Sequence, residues 1–110
     1  MISAVDAVPM DLYPANCGLD PVVISADVAD VDNKPAEISA SFTYSGRING
    51  TVTMVYNLKN GRFEGSLDGF KTLLDSTLSI VVNAHDVAGN KATPVDGPAV
   101  TTHSQCPVVG

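Results

Sequence analysis

The segment from Thr77 to Thr93 limits the fold more than any other part of the chain, because it joins a strand to a turn. Apolar residues recur there at every second position: Leu78, Ile80, Val82 and Ala84. This period of two places one face of a β-strand in a core. Asp86, Gly89 and Asn90 come next. An Asp side chain accepts backbone N–H groups two or three residues on, and Gly and Asn tolerate positive φ. These three residues therefore predict a structural turn.

Four earlier segments alternate in the same way and predict four further strands. They are Val22–Val28, Ile38–Tyr44, Thr51–Tyr56 and Arg62–Leu67. Asn60-Gly61 lies between the last two segments. It predicts a hairpin with a type I′ turn, in which both central residues have positive φ.

Two segments are less regular. Residues 68–76 have apolar residues at helical spacing, but the run is short, so we expect a loop or a single helical turn. Lys91–Val100 is interrupted by Pro94 and Pro98, which lack the N–H that a central strand needs. We expect this segment to lie at an edge or to contain a bulge, and Thr101–Gln105 to complete that edge.

About seven short strands with turn residues between them, and no amphipathic helix, predict an all-β antiparallel two-sheet sandwich. The 110 residues suit one domain, 1–110, with its core over residues 20–105. We expect Met1–Ala15 and Pro107–Gly110 to be connectors, in a domain excised from a larger extracellular protein.

The charge balance of the chain is acidic, with 12 Asp and Glu against 6 Lys and Arg and a formal net charge of −6. A nucleic-acid-binding surface needs the opposite sign to displace counterions from phosphates, so we expect no nucleic acid partner. No run approaches the roughly 18 apolar residues of a membrane span, so we expect no membrane insertion. An acidic surface suits a solvated extracellular module, and we expect the isolated domain to be a monomer.

Two cysteines, Cys17 and Cys106, lie near the two ends of the chain. A disulfide between them indicates an oxidising compartment, and closing so long a loop removes roughly 4–5 kcal/mol of unfolded-state entropy. Pro and Gly flank both cysteines, so backbone hydrogen bonds alone would hold these ends poorly. Two alternatives stay open: two free buried thiols, or a partial metal site that also uses His103.

The order of the segments, and above all the last one, resembles a known family. The most specific motif is A-x-D-x-A-G-N, which occurs here as Ala84, Asp86, Ala88, Gly89 and Asn90. From residue 20 to residue 100 the chain is similar to the immunoglobulin-like or fibronectin type III-like repeats of prokaryotic secreted and cell-surface proteins. The resemblance implies an immunoglobulin-like sandwich in an extracellular setting, and it carries over no catalytic residue. The Trp typical of antibody domains is absent.

His85 and Asp86 invite a catalytic interpretation, but adjacent strand residues point to opposite faces and cannot form a dyad directly. We expect a solvent-facing His85. The G-x-S-x-G motif of a nucleophile elbow does not occur, and no acid, base and nucleophile are grouped. We therefore expect no enzymatic activity.

Four acidic residues are weak candidates for a Ca²⁺ site: Asp27, Asp30, Asp32 and Asp86. The first three crowd one loop, and hard oxygen ligands at this spacing suit Ca²⁺ if Asp86 lies at the same end of the fold. The spacing matches no strict calcium pattern, and turns collect Asp in any case, so a solvated polar loop is the preferred interpretation. We expect no obligatory cofactor.

Asn49-Gly50-Thr51 matches the N-glycosylation sequon and lies in a predicted turn, which is compatible with export. The aromatic residues raise the question of a sugar-stacking platform, but most of them alternate at core positions. They are Tyr13, Phe42, Tyr44, Tyr56, Phe63 and Phe70.

The leading hypothesis is a non-catalytic structural spacer or stalk module of a secreted or cell-surface protein. Its partners would be neighbouring domains of the same parent chain. The alternative is an adhesion or carbohydrate-binding module, whose loops at one end of the sandwich bind a cell-surface protein or a glycan.

Overall fold

The computed structural model describes residues 1–30, 34–68 and 70–107. Over these residues the chain is all-β, with single 3₁₀ turns at Ala15–Cys17 and Pro35–Glu37. The strands are β1 (Ile2–Val8), β2 (Asp11–Leu12), β3 (Val22–Val28), β4 (Ile38–Ser45), β5 (Gly50–Asn57), β6 (Arg62–Leu67), β7 (Ser76–Asp86), β8 (Val95–Asp96) and β9 (Val100–Thr102). None of the described segments is a helix long and apolar enough to cross a membrane.

The strands form one hydrogen-bonded path in the order β1-β3-β6-β5-β4-β7-β9-β2, and β8 pairs with β7. The pairs are antiparallel except for β2 and β9, which are parallel. The path curls so far that β1 comes back against β7 and β8. A Cβ built on Gly97, just after β8, would lie 2.7 Å from Cγ1 of Val5 in β1. The sheet is therefore nearly closed into a barrel.

Strand β5 turns the sheet around the core by changing its partner. Its first part pairs with β4, from Gly50 opposite Tyr44 to Met54 opposite Ala40. Its last three residues pair with β6 instead. A strand that leaves one neighbour for another has to bend, so β5 joins the two halves of the curved sheet.

The N-terminal segment is part of the fold, so the prediction that Met1–Ala15 is a connector is wrong. β1 pairs with β3, and β2 pairs with β9. Three of its side chains belong to the core, which therefore extends beyond residues 20–105: Ile2, Ala7 and Leu12. β1 is not recognisable from the sequence, because the register of β1 shifts between Ser3 and Asp6 and a bulge there breaks the period of two. The other predicted connector, residues 107–110, lies outside the described residues except for Pro107.

The core is built from the apolar positions of the alternating strands. The large side chains with the least exposure are Phe42, Ile24, Leu78, Ile80, Val22, Val82 and Val100. Gly65 of β6 is also buried, and a Cβ there would lie 2.9 Å from Cε1 of Phe42. Glycine at this position therefore leaves room for the aromatic ring. Each such side chain contributes about 1.5–3 kcal/mol when it is fully buried, so this cluster is the main stabilising element of the fold.

The β5–β6 hairpin forms where Asn60-Gly61 predicts it, but the predicted type I′ turn is wrong. Four residues separate the paired Asn57 and Arg62. Gly61 has a φ of 71°, whereas Asn60 does not have a positive φ. The N–H of Gly61 donates to the carbonyl oxygen of Asn57 at 2.8 Å, and Oδ1 of Asn60 accepts the N–H of Arg62 at 2.9 Å. These bonds stabilise a wider loop than a two-residue turn.

Two prolines limit the strand structure between β7 and β9. β8 is a two-residue strand at an edge of the sheet, between Pro94 and Pro98, and it agrees with the predicted edge position. β9 lies inside the sheet, because β2 covers its outer side, so residues 101–105 do not complete the edge as predicted. The described part of residues 68–76 is a loop without a helical turn before β7 begins, and it buries Leu73.

Candidate functional site

The longest strand, β7, separates two ends of the molecule that hold most of the predicted site residues. Ser76, where β7 begins, pairs with Thr102, and Asp86, where it ends, pairs with Ile38. Its 11 residues correspond to about 36 Å of extended chain. We name as the lower end the group of Cys17, Asp75, Ser104 and Cys106. We name as the upper end the group of Met1, Ala29, Ile38 and the turn from Asp86 to Asn90.

The two cysteines meet at the lower end. Their sulfur atoms lie 1.98 Å apart, at disulfide distance, and their Cα atoms lie 5.5 Å apart. Cys17 ends the first 3₁₀ turn and is half-buried, while Cys106 follows β9 and is exposed. Because the two sulfur atoms are bonded to each other, neither is the free buried thiol or the thiolate ligand that the two alternative interpretations require.

Hydrogen bonds to the two residues just before β7 anchor the C-terminal segment at the lower end. The carboxylate of Asp75 accepts the N–H of Ser104 at 2.8 Å and its hydroxyl at 3.1 Å. These bonds, the backbone one foremost, hold the pKa of Asp75 below its ordinary value. The hydroxyl of Thr102 donates to the carbonyl oxygen of Leu74 at 2.6 Å.

His103 makes contacts with the segment around β2. Its ring stacks on Tyr13 with 4.5 Å between the ring centroids and 15° between the planes. Its Nε2 lies 2.9 Å from Oδ1 of Asp11. His103 is therefore positioned by a neighbouring ring and a carboxylate, and it connects the two parallel strands β2 and β9.

At the upper end, Asp86 organises the turn that the sequence indicates. Its Oδ1 accepts the N–H groups of Ala88 and Asn90, each at 2.9 Å, and its Oδ2 accepts Nδ2 of Asn90 at 3.0 Å. Gly89 has a φ of 87°, and its N–H donates to the carbonyl oxygen of Asp86 at 3.0 Å. Asp86 is buried, and the neighbouring His85 is exposed. The two side chains thus lie on opposite faces of β7, as its period of two requires.

The structure gives the calcium candidates different surroundings. Asp27 binds Arg62, while Asp86 accepts the N–H groups of its own turn. Asp30 and Asp86 line the same recess, and Asp32 lies outside the described residues. Among the residues the structure describes, no group of three or more His, Cys, Asp or Glu side chains is arranged to hold a metal ion.

The upper end contains an open recess with a volume of about 340 Å³. Val28, Ile38 and Ala84 provide its apolar floor, and polar side chains, including those of Asn90 and Lys91, surround it. A recess with an apolar floor and a polar rim can bind a small molecule or a peptide side chain.

An Arg-centred network lies on the outer surface of β1, β3 and β6. Nε of Arg62 donates to Oδ1 of Asp27 at 3.0 Å, and Nη1 donates to Oδ2 of Asp6 at 2.9 Å and to the hydroxyl of Ser25 at 3.2 Å. Nη2 donates to the carbonyl oxygen of Ala4, at the bulge of β1. The hydrogen bond to Asp6, with that to Asp27, keeps the pKa of Arg62 above its ordinary value despite partial burial.

Sequence reasoning does not find this network. Arg62 is 35 residues from Asp27 and 56 residues from Asp6 along the chain. No local spacing connects such partners. The available signal is weak: Arg62 is one of only 6 basic residues in the chain and occupies the first position of a strand.

The sequon and the aromatic residues lie in different surroundings. Asn49 is exposed in the turn between β4 and β5, where its Oδ1 accepts the N–H of Gly46 at 3.3 Å. Phe42 and Phe63 are buried, and three further rings pack against the core: Tyr44, Tyr56 and Phe70. The rings therefore stabilise the interior and do not form an exposed platform.

Comparison with protein-family models, curated proteins and solved structures finds no significant match. The class of protein is therefore defined by the molecule itself: an all-β domain with a nearly closed sheet, one disulfide at its lower end and a hydrogen-bonded turn at its upper end. The described polar groups at both ends chiefly fix the positions of strand termini and turns.

Proposed function

We propose that this chain is an immunoglobulin-like sandwich module of a secreted or cell-surface protein, and that it acts as a non-catalytic spacer between neighbouring domains. The strand path supports the sandwich, since β5 pairs first with β4 and then with β6, as a strand shared between two layers would. The parallel pair β2–β9 supports it as well, because the N-terminal segment pairs with β3 through β1 and with β9 through β2, as a segment that contributes a strand to each of two layers would.

The observation that supports the spacer function most is the position of Met1 relative to Cys106. The N–H of Ala29 donates to the carbonyl oxygen of Met1 at 2.9 Å, at the upper end. Cys106 lies at the lower end, bonded to Cys17. The molecule measures 51 × 28 × 19 Å. A chain that enters at one end of an elongated domain and leaves at the other places its neighbours in line.

The cysteine pair and the charge support the location of such a module. Disulfides persist in oxidising compartments, and an acidic surface with a net charge of −6 keeps a repeated module soluble. We therefore assign the protein to the extracellular space or the cell surface.

The spacer function is tested by measuring distances. The domain is inserted between two folded marker proteins that carry spin labels, and the label separation is compared with that of the same markers joined directly. We expect the separation to increase by an amount close to the 51 Å long dimension. A separation that does not increase, because the markers fold back on each other, would rule out a spacer.

The recess at the upper end favours a second candidate function, an adhesion or carbohydrate-binding module. Its rim residues Asn90 and Lys91 supply the amide and ammonium groups that hydrogen-bond sugar hydroxyls. A glycan array on the isolated domain distinguishes the two candidates. Saturable binding that Lys91→Ala abolishes and Lys59→Ala retains would favour binding, because Lys59 lies in the β5–β6 hairpin and outside the recess lining.

A further inference from the structure

The disulfide closes a covalent ring that contains most of the fold. The ring runs from Cys17 to Cys106 and includes seven of the nine strands that the structure describes, β3 to β9. Only residues 1–16 and 107–110 lie outside it. The N-terminal tail of the ring carries β1 and β2, which pair with β3 and β9.

Both tails leave this ring at the disulfide, the N-terminal tail at Cys17 and the C-terminal tail at Cys106. When the neighbours of a spacer are drawn apart, tension enters at Met1, at the upper end, and at Cys106, at the lower end. Within the domain, the tension first loads the strands β1 and β2, which would have to separate from β3 and β9. If they separate, the load reaches Cys17 and crosses the sulfur–sulfur bond to Cys106, so residues 18–105 are not on the covalent path.

The length of that path sets a limit on extension. Met1 to Cys17 is 16 steps, or about 56 Å when fully extended at about 3.5 Å per residue. The bridge adds the 5.5 Å between its Cα atoms. The total of about 60 Å is close to the 51 Å long dimension of the folded domain. Without the bridge, the path from Met1 to Cys106 is 105 steps, or about 370 Å.

We propose that the Cys17–Cys106 bridge makes this module nearly inextensible, so that tension passes from the N-terminal tail to the C-terminal tail without unfolding the strands inside the ring. This inference rests on the proposed spacer function and deepens it. Between Met1 and Cys106, only the residues outside the ring can lengthen, by about 10 Å, which is the extended path of about 60 Å minus the 51 Å folded length. The core strands keep their contacts under a load that would unfold an unbridged domain.

Single-molecule force spectroscopy tests the proposal on the full chain. The chain is held through marker domains at its two termini and stretched before and after reduction. We expect a length increment of about 10 Å for the oxidised protein. After reduction, and in the double variant C17S/C106S, we expect about 320 Å, which is the extended path minus the folded length. An oxidised protein that lengthens by about 320 Å would overturn the proposal.

A second attachment keeps the test decisive if the reduced protein does not fold. One handle is inserted at Asn60, in the hairpin inside the ring, and the other stays at the C-terminus. The oxidised domain should then unfold with an increment of about 100 Å, because Asn60 is 43 steps from Cys17. If the oxidised chain resists equally from both attachments, the bridge is not what limits extension, and the proposal fails.

The outcomes separate this inference from the proposed function. The oxidised domain could hold its markers about one domain length apart without load and still lengthen by about 320 Å under load. In that case it is a spacer, but its disulfide does not limit extension. If the oxidised domain resists extension but binds a glycan saturably, the disulfide limits extension as proposed, and the protein is a binding module and not a spacer.

Discussion

Asp75 and Ser104 form a two-point contact across the lower end, in which one carboxylate accepts both the backbone N–H and the hydroxyl of the same residue. Asp75 immediately precedes β7, and Ser104 lies two residues before Cys106. The contact therefore connects the longest strand to the disulfide. It gives the lower end a second anchor that does not depend on the redox state of the cysteines.

The first prediction concerns pH. The folded pKa of Asp75 is depressed, so its contribution to stability is present above the ordinary value of 3.8 and is lost as pH falls through the folded pKa. We expect the amide resonance of Ser104 to shift with a midpoint below 3.8 in an NMR titration. Ser104→Ala should raise that midpoint only partly, because the backbone N–H remains. A midpoint at or above 3.8 in the unmodified protein would contradict the contact.

The second prediction concerns Arg62. Arg62→Ala should lower the free energy of unfolding by about 1–2 kcal/mol, because it leaves Ser25 and the carbonyl oxygen of Ala4 without a donor. Arg62→Lys should recover little, since one ammonium group cannot reach all four acceptors on the two strands β1 and β3. Urea denaturation measures both variants. Arg47→Ala, at an exposed position of the β4–β5 turn, is the matched control and should change stability by less than about 0.5 kcal/mol.

The same substitution should loosen β1 before the rest of the domain, because the guanidinium group joins β1 to β3 and β6. Amide hydrogen exchange in β1 should accelerate in Arg62→Ala, while exchange in β7 should change less. Uniform acceleration over both strands would show that the network has no specific role for β1.

The third prediction concerns Asp86. Asp86→Ala should destabilise the domain by about 2 kcal/mol or more, because two backbone N–H groups of a partly buried turn lose their acceptor. Asp86→Asn should cost less, since an amide oxygen can still accept those N–H groups. Thermal melting compares the two variants with Asp96→Ala, an exposed carboxylate in β8. Equal losses of stability in Asp86→Ala and Asp86→Asn would show that the negative charge of Asp86, and not its hydrogen bonds, stabilises the turn.

The fourth prediction concerns the closure of the sheet at Gly97 and Val5. Gly97→Ala should cost about 1–2 kcal/mol, since its Cβ would lie 2.7 Å from Cγ1 of Val5 and 3.3 Å from Cγ2 of Ile80. In a Val5→Ala background the cost should fall, because the nearest atom is gone. A double-mutant cycle by urea denaturation measures the coupling. Additive effects would show that β1 and β8 are not in contact in solution.

The fifth prediction concerns the disulfide at equilibrium. C17S/C106S should lower the free energy of unfolding by about 4 kcal/mol, because the bridge closes a loop of 89 residues. The single variant Cys17→Ser should lose as much, since either change opens the ring. Free-thiol counting on the unmodified protein is the direct check, and two reactive thiols before reduction would contradict the bridge.

Part of the fold is readable from the sequence because strand periodicity is local. Phe42 lies between Ser41 and Thr43 and is buried, and the Asp86 turn depends on residues at most four positions away. β1 is not readable in the same way. Its bulge breaks the period, and its partners in β3 are about 20 residues away along the chain.

The sequence by itself determined that the chain is all-β, which residues of the alternating strands are buried, and where Asp86 forms a turn. These properties depend on backbone geometry that repeats every two residues and on side chains that reach only their near neighbours. Only the tertiary structure decided that β1 and β2 belong to the fold, that Arg62 meets Asp6 and Asp27, and that Met1 and Cys106 lie at opposite ends of β7. Those relationships depend on the pairing order of strands far apart in sequence, which no local pattern specifies.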